Sequence, residues 1–193
     1  MDIKIATTKK KLNEIYSFRF KIYITELEKH FLVNDKTIRI LKDEIDSSAL
    51  QLYSEVDGNI VATMRCNIKP LTEEIRLNFD IVNQPSSLNC KYARLDRFMI
   101  HKDYRGSNLS ISYMDWLYRY GLKNNVVVAL IMVEPKLVNF YKRYGFEVYA
   151  EATVNSKTKN KRILCSLNLK NRNKLMKSRS PFLSILDSSK GSI

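Results

Sequence analysis

The stretch from Arg94 to Phe146, RLDRFMIHKDYRGSNLSISYMDWLYRYGLKNNVVVALIMVEPKLVNFYKRYGF, decides how this chain folds. Leu95, Arg97 and Met99 alternate with Asp96, Phe98 and Ile100, the period of a strand. The run ends at His101-Lys102-Asp103 and passes into Tyr104-Arg105-Gly106-Ser107-Asn108-Leu109-Ser110, rich in residues that tolerate turns. Beyond Ser107, the spacing of Ile111, Met114, Leu117 and Tyr118 predicts a helix ending near Gly121. Val126 to Val133 is continuously apolar and rich in β-branched residues, which predicts a strand buried on both faces. Pro135 suits the first turn of a following helix, Gly145 suits its C-terminal stop, and Phe146-Glu147-Val148-Tyr149 opens another strand. The order is strand, turn, helix, buried strand, helix, strand.

The turn in the middle carries chemistry. A helix N-terminus presents free backbone N–H groups and the positive end of a dipole, and Arg105 adds a full charge beside them. Together they predict a phosphate site over Arg105, Gly106, Ser107, Asn108, Leu109 and Ser110.

Outward from this stretch, Ile3 and Ile5 suggest a short first strand. Leu12, Ile15, Tyr16, Arg19, Phe20 and Tyr23 recur at helical spacing. Residues 30–47 read as a polar, loose segment. Ala49 to Val56 and Ile60 to Ile68 predict a hairpin around Asp57-Gly58-Asn59. Pro70 to Pro85 holds a short helix at most. A last hairpin is expected from Phe146 to Leu169, turning near Ser156 to Asn160. No internal repeat is visible. Residues 1–169 thus read as one domain. Residues 170–193 read as a flexible basic and apolar tail, with weak membrane contact through Pro181 to Leu186 as a second reading.

Composition bounds the function. The chain has 193 residues, enough for one domain with a real core. The formal net charge is +13, of which residues 1–66 hold +1 and residues 67–193 hold +12. That field favours an anionic partner: an acidic protein, nucleic acid or an anionic membrane surface. Nucleic acid is the least favoured, because no helix-turn-helix, zinc finger or RRM-like aromatic pattern is present. Cys66, Cys90 and Cys165 read as reduced thiols rather than a disulfide framework, and with only His30 and His101 beside them no metal site is expected. No Gly-x-Ser-x-Gly or His-rich motif argues for a hydrolase. No apolar run is long enough to span a bilayer, and the N-terminus lacks a secretory apolar core, so a cytoplasmic location is expected.

Arg105-Gly106-Ser107-Asn108-Leu109-Ser110 resembles the donor loop of the GNAT acyltransferases, with Asn108 and Ser110 in place of the usual small residues. Asn139-Phe140-Tyr141-Lys142-Arg143-Tyr144-Gly145-Phe146 resembles that superfamily's Asn…Phe-Tyr-x-x-x-Gly-Phe signature. Arg19 to Leu27, Asp43-x-x-Asp46, Gly58 to Arg65 and Arg97-Phe98 follow the order seen in N-acyl amino acid synthases and acyl-homoserine-lactone (autoinducer) synthases. Those relatives carry Glu three residues before the strand arginine, where this chain has Arg94.

The resemblance implies an α/β (α+β) GNAT fold: a mixed, mostly antiparallel central sheet flanked by helices, with splayed strands at the donor site. It implies an N-acyltransferase moving a fatty acyl group from a phosphopantetheine thioester to the amine of an amino acid or similar small molecule. Acyl carrier protein is the expected donor and acyl coenzyme A the second, with no permanently bound cofactor. Backbone N–H groups of Phe98, Met99 and Ile100 would polarise the thioester carbonyl. Asp96, or a water it orders, would take the amine proton, and Tyr141 would protonate the departing thiolate. Arg65 and Arg97 would clamp a substrate carboxylate, with Arg19, Asp43 and Asp46 as further substrate-binding residues. Autoinducer synthesis, acetyl-coenzyme-A-dependent acetylation and acylation of a peptide amine are the alternatives within this class. A basic nucleic-acid-binding module and an inactive GNAT scaffold are the alternatives outside it.

Overall fold

A computed structural model describes residues 1–28, 39–79, 81, 89–154 and 161–189. Seven strands form one sheet in the order β1-β2-β3-β4-β5-β7-β6. They are β1 (Lys4–Ile5), β2 (Leu50–Val56), β3 (Asn59–Pro70), β4 (Lys91–Ile100), β5 (Val126–Val133), β6 (Glu147–Val154) and β7 (Lys161–Asn168). The pairs β1–β2, β2–β3, β5–β7 and β6–β7 are antiparallel. The helices are α1 (Lys9–Phe20), α2 (Glu73–Asn78), α3 (Leu109–Lys123), α4 (Val138–Lys142), α5 (Arg172–Lys177) and α6 (Phe182–Ser189). This is the expected α/β class with a mostly antiparallel sheet. No helix among the described residues is long and apolar enough to cross a membrane.

The chain forms two compact units, each built from two stretches of sequence. The first comprises Met1–Asn67 and Leu95–Tyr113. Thr8 caps α1 by accepting from Lys11 N at 3.2 Å. Apolar residues of α1 close two core clusters, Ile15 and Tyr16 with Tyr53, and Phe18 with Ile22 and Met99. Past Phe20 the helix widens into a π-helical turn, Lys21–Glu26, closed by Leu27 N donating to Ile22 O at 3.0 Å. The hairpin between β2 and β3 turns as expected: Asp57 (φ 49°) and Gly58 (φ 77°) are both left-handed, the requirement of a type I′ turn.

The second unit comprises Ile68–Arg94 and Met114–Ile193. Ile81, Val127, Val128 and Leu130 form its core cluster, flanked by Leu71, Ile75, Phe79, Cys90, Tyr92 and Leu164. Burial runs along β5, with only Met132 of its eight residues exposed, which is why the sequence shows no alternation there. Gly121 falls inside α3 rather than at its end. A Cβ there would sit 2.7 Å from Leu169 Cδ2, so the glycine permits close packing. Pro135 opens a 3₁₀ turn leading into α4, and Gly145, at φ 95°, ends that helix as expected.

The C-terminal segment differs from the sequence reading. Where a loose tail is expected, α5 and α6 pack onto the second unit through Leu175, Phe182, Ile185 and Leu186, all buried. The Phe182 ring stacks on Tyr118 at 4.1 Å, and Ser180 Oγ donates to Tyr144 O at 2.6 Å. Leu175 is the one buried residue of α5 among basic neighbours, and Phe182, Ile185 and Leu186, three and four apart, form the buried face of α6. The expected turn at Ser156 to Asn160 lies outside the described residues.

Candidate active site

The chemistry-bearing residues of the first unit gather around β3 and the second half of β4. Asp43 and Asp46 first serve the backbone. Asp46 Oδ2 accepts from Asp43 N at 2.8 Å, and Asp43 Oδ1 accepts from Ile45 N at 3.1 Å, a capping box on the 3₁₀ turn Glu44–Ser47. The remaining carboxylate oxygens face arginines. Arg19, completely buried, donates Nη1 to Asp46 Oδ1 at 2.7 Å and Nη2 to Gln51 Oε1. Arg65 donates Nη1 to Asp43 and to Asp46, the latter at 3.0 Å. Its Nε and Nη2 grip Asp96 at 2.6 and 2.9 Å, a fork-on-fork pair. Arg97 donates Nη2 to Asp43 Oδ2 at 2.9 Å, and its guanidinium lies 5.6 Å from the centre of the Tyr23 ring.

Three arginines and three aspartates therefore form one balanced network. Burial alone would raise the Asp43 and Asp46 carboxyls, but the facing guanidiniums outweigh it and hold both below their ordinary value. Burial likewise pulls Arg19 down, against the attraction of Asp46. The Cys66 thiol, desolvated in β3, is pushed up to about 12 and stays an inert thiol.

Arg65, expected from sequence to clamp a substrate carboxylate, faces protein carboxylates in this structure. Its fork is taken by Asp43, Asp46 and Asp96, and its side chain is 3% exposed. Arg97 differs in two ways. Its side chain is 19% exposed, and among the described residues its only ion pair is through Nη2. Its backbone is also left-handed, at φ 53°, inside a strand. A non-glycine residue held there is strained. Asp96 and Arg97 are both partly exposed.

β4 runs directly into the turn at Arg105. Phe98 packs on Tyr113 with ring centres 5.2 Å apart, Met99 is buried, and Ile100 O accepts from Arg105 Nε at 3.0 Å. Arg105 Nη2 reaches Glu26 on the π-helical turn. Gly106, at φ 82°, takes a conformation that suits glycine, and no atom lies within 4 Å of where a Cβ would stand. Ser107 Oγ donates to Tyr104 O at 2.7 Å and accepts from Leu109 N at 3.4 Å. Asn108 O takes the first helical bond of α3, from Ser112 N at 2.9 Å. Leu109 N is thus engaged by Ser107, and the next two first-turn amides of α3, of Ser110 and Ile111, precede the first helical bond. An open cleft of ≈ 900 Å³ on the α1 side of this turn, lined by Lys10, Glu14, Lys21, Asp57, His101 and Tyr104 among others, holds none of the expected site residues.

Tyr141 belongs to the second unit. It sits in α4, 4% exposed, edge-on to Phe140 at 5.0 Å and to Phe146 at 5.5 Å. Sequence reasoning missed Gln51, Tyr23 and Glu26 as members of the site. Gln51 carried a signal: a polar residue in an apolar strand, paired in register with Arg65. Tyr23 and Glu26 lie in the Arg19 to Leu27 run that carries the resemblance, but helical periodicity does not show that a π-helical turn brings them to Arg97 and Arg105.

A family model described as N-acyl amino acid synthase FeeM matches residues 14–168. No curated protein matches in sequence. Among solved structures, the chain is similar to FeeM, an N-acyl amino acid synthase from uncultured soil microbes. The identity is 14%, the coverage 95% of this chain and 97% of that one, and the TM-score 0.64. It is similar at the same identity and TM-score to a CoA-dependent acyl-homoserine lactone synthase, BjaI, covering 90% of this chain and 84% of that one. The acyl-homoserine lactone synthase LasI is 16% identical over 87% of this chain and 89% of that one, with a TM-score of 0.64. At these identities the structural likenesses establish the fold, which is that of the GNAT acyltransferases.

Proposed function

The chain belongs to the N-acyl amino acid synthase FeeM family and is a GNAT-type acyltransferase, and from that premise we propose that it moves a fatty acyl group from a phosphopantetheine thioester to the amine of an amino acid or similar small molecule. The observation that carries this reading is the single stretch from Asp96 to Ser110. There an ion-paired carboxylate, a strained and partly exposed arginine and a glycine turn opening a helix follow one another along the chain.

In this reading the turn from Arg105 to Ser110 holds the donor's phosphate through first-turn amides and the Arg105 guanidinium. Backbone N–H groups of Phe98, Met99 and Ile100 polarise the thioester carbonyl. Asp96, held in place by Arg65, takes the amine proton directly or through a water. Arg97 reads the acceptor's carboxylate with the donors that Asp43 leaves free. Arg19, Asp43 and Asp46 keep that arginine in position. Tyr141 protonates the departing thiolate, a role supported by its place in the Asn139 to Phe146 signature.

The donor's carrier has two readings. An acidic acyl carrier protein is supported by the excess of basic residues after position 66. A coenzyme A thioester is supported by BjaI, described as CoA-dependent. Acyl-homoserine lactone synthesis is the second reading for the product, supported by the same fold likenesses, while Arg94 in place of the relatives' Glu counts against it. A cytoplasmic location is part of the proposal.

The test offers the purified protein acyl carrier protein and coenzyme A thioesters of matched chain length, each with a pool of amino acids and S-adenosylmethionine. An N-acyl amino acid seen by mass spectrometry supports the reading, and the more efficient donor fixes the carrier. Thioester turnover yielding only an acyl-homoserine lactone would replace it with the second reading.

A further inference from the structure

We propose that Glu26 is a specificity-determining residue for the donor: its carboxylate occupies the Arg105 guanidinium and must be displaced by the donor's phosphate. The inference rests on the reading of Arg105 as a phosphate ligand. Arg105 Nη2 donates to Glu26 Oε1, and the arginine's Nε is fixed on Ile100 O at 3.0 Å. The guanidinium is thus held at the mouth of the turn with a protein carboxylate in the place where a ligand anion would stand.

Glu26 is presented rather than loosely placed. It closes the π-helical turn Lys21–Glu26, whose Ile22 and Ile24 are 2% and 5% exposed and anchor the turn in the core. Continued α-helical winding would rotate every residue after Phe20 relative to this arrangement. The wider turn is what aims Glu26 at Arg105, and such turns are metastable features that gather at functional sites.

The pair is weak enough to yield. The Arg105 and Glu26 side chains are 46% and 26% exposed, so solvent screens their attraction. A phosphate brings more acceptor oxygens and adds the first-turn amides of α3, so it wins the competition. A thioester without phosphate has nothing to offer Arg105 and leaves the bridge closed. Glu26 thereby lowers affinity for phosphate-bearing donors and narrows their advantage over phosphate-free pantetheine.

The test is calorimetric titration of the wild-type protein, Glu26→Gln, Glu26→Ala and Arg105→Gln with 4′-phosphopantetheine, and in parallel with pantetheine lacking the phosphate. Both Glu26 variants should bind 4′-phosphopantetheine about two- to fivefold more tightly, the range set by loss of an exposed ion pair. Pantetheine binding should not change. Arg105→Gln should weaken 4′-phosphopantetheine by about tenfold or more. If Arg105→Gln weakens binding while both Glu26 variants leave it equal or weaker, the role of Glu26 is overturned and the phosphate reading stands. Tightening of pantetheine to the same degree also overturns it, because the effect would not involve the phosphate. If Arg105→Gln changes nothing, the phosphate reading itself fails and the inference falls with it.

Discussion

Arg65 holds Asp96 by both carboxylate oxygens, Nε to Oδ1 at 2.6 Å and Nη2 to Oδ2 at 2.9 Å. The pair joins neighbouring strands, and it sets the orientation of the carboxylate proposed to receive the amine proton. Each oxygen keeps a lone pair for a second donor.

Asp96→Asn should therefore lower kcat by about 10²-fold or more, the usual range for loss of a general base. Its thermal midpoint should drop by only a few degrees, since the amide keeps the shape and one acceptor. Steady-state kinetics with a calorimetric scan checks both. A variant that retains full kcat removes Asp96 from the mechanism and leaves it a strut for Arg65.

Asp46 lies deeper. Its side chain is 3% exposed, with Arg19 at 0% and Arg65 at 3% around it. Asp46→Asn leaves two buried guanidiniums short of a counter-charge and should cost about 3–5 kcal/mol. Denaturant unfolding measures this. A loss under about 1 kcal/mol would mean that Asp43 and Gln51 compensate.

The same residues set an acid limit. Asp43 and Asp46 have folded-state values held below the ordinary 3.8. The stability they contribute is complete above that ordinary value and disappears as pH falls through the lower folded values. Urea midpoints should accordingly be flat from neutral pH into the carboxylate range and fall steeply below it. Asp46→Asn should flatten that fall. A wild-type midpoint already falling between pH 7 and pH 5 would point to a different group.

Leu175 is completely buried in α5, and its Cδ2 lies 3.0 Å from where a Cβ on Gly145 would be. Leu175→Ala should cost about 2–5 kcal/mol, as for a well-packed core leucine. Urea unfolding of the full chain gives the value. No measurable cost would return residues 170–193 to the status of a detachable tail.

Tyr141→Phe removes one hydroxyl and preserves the ring contacts with Phe140 and Phe146. If Tyr141 protonates the thiolate, kcat should drop by about 10²-fold at unchanged donor affinity. The loss should shrink for donors whose thiol leaving group is more acidic. An unchanged kcat would assign Tyr141 to the core alone.

Elements specified by local physics were legible from sequence. The Asp57-Gly58 turn needs two left-handed residues, the β-branched run of β5 needs burial on both faces, and Gly145 can end α4 where a side chain would be strained. The order of motifs likewise announced the GNAT fold, and the alternation from Leu95 to Ile100 announced the strand that carries Asp96 and Arg97. What packing decides was not legible. Which arginine keeps free donors depends on Arg65 meeting three carboxylates brought together from distant positions, and on Arg97 being held at φ 53° within β4. The aim of Tyr23 and Glu26 depends on one helix widening by a residue, which no periodicity records. The helices after Leu169 form because Phe182 and Leu175 find aromatic and glycine surfaces far away in sequence. Local conformational preference is written residue by residue, whereas charge pairing and burial are properties of neighbours that exist only once the chain has folded.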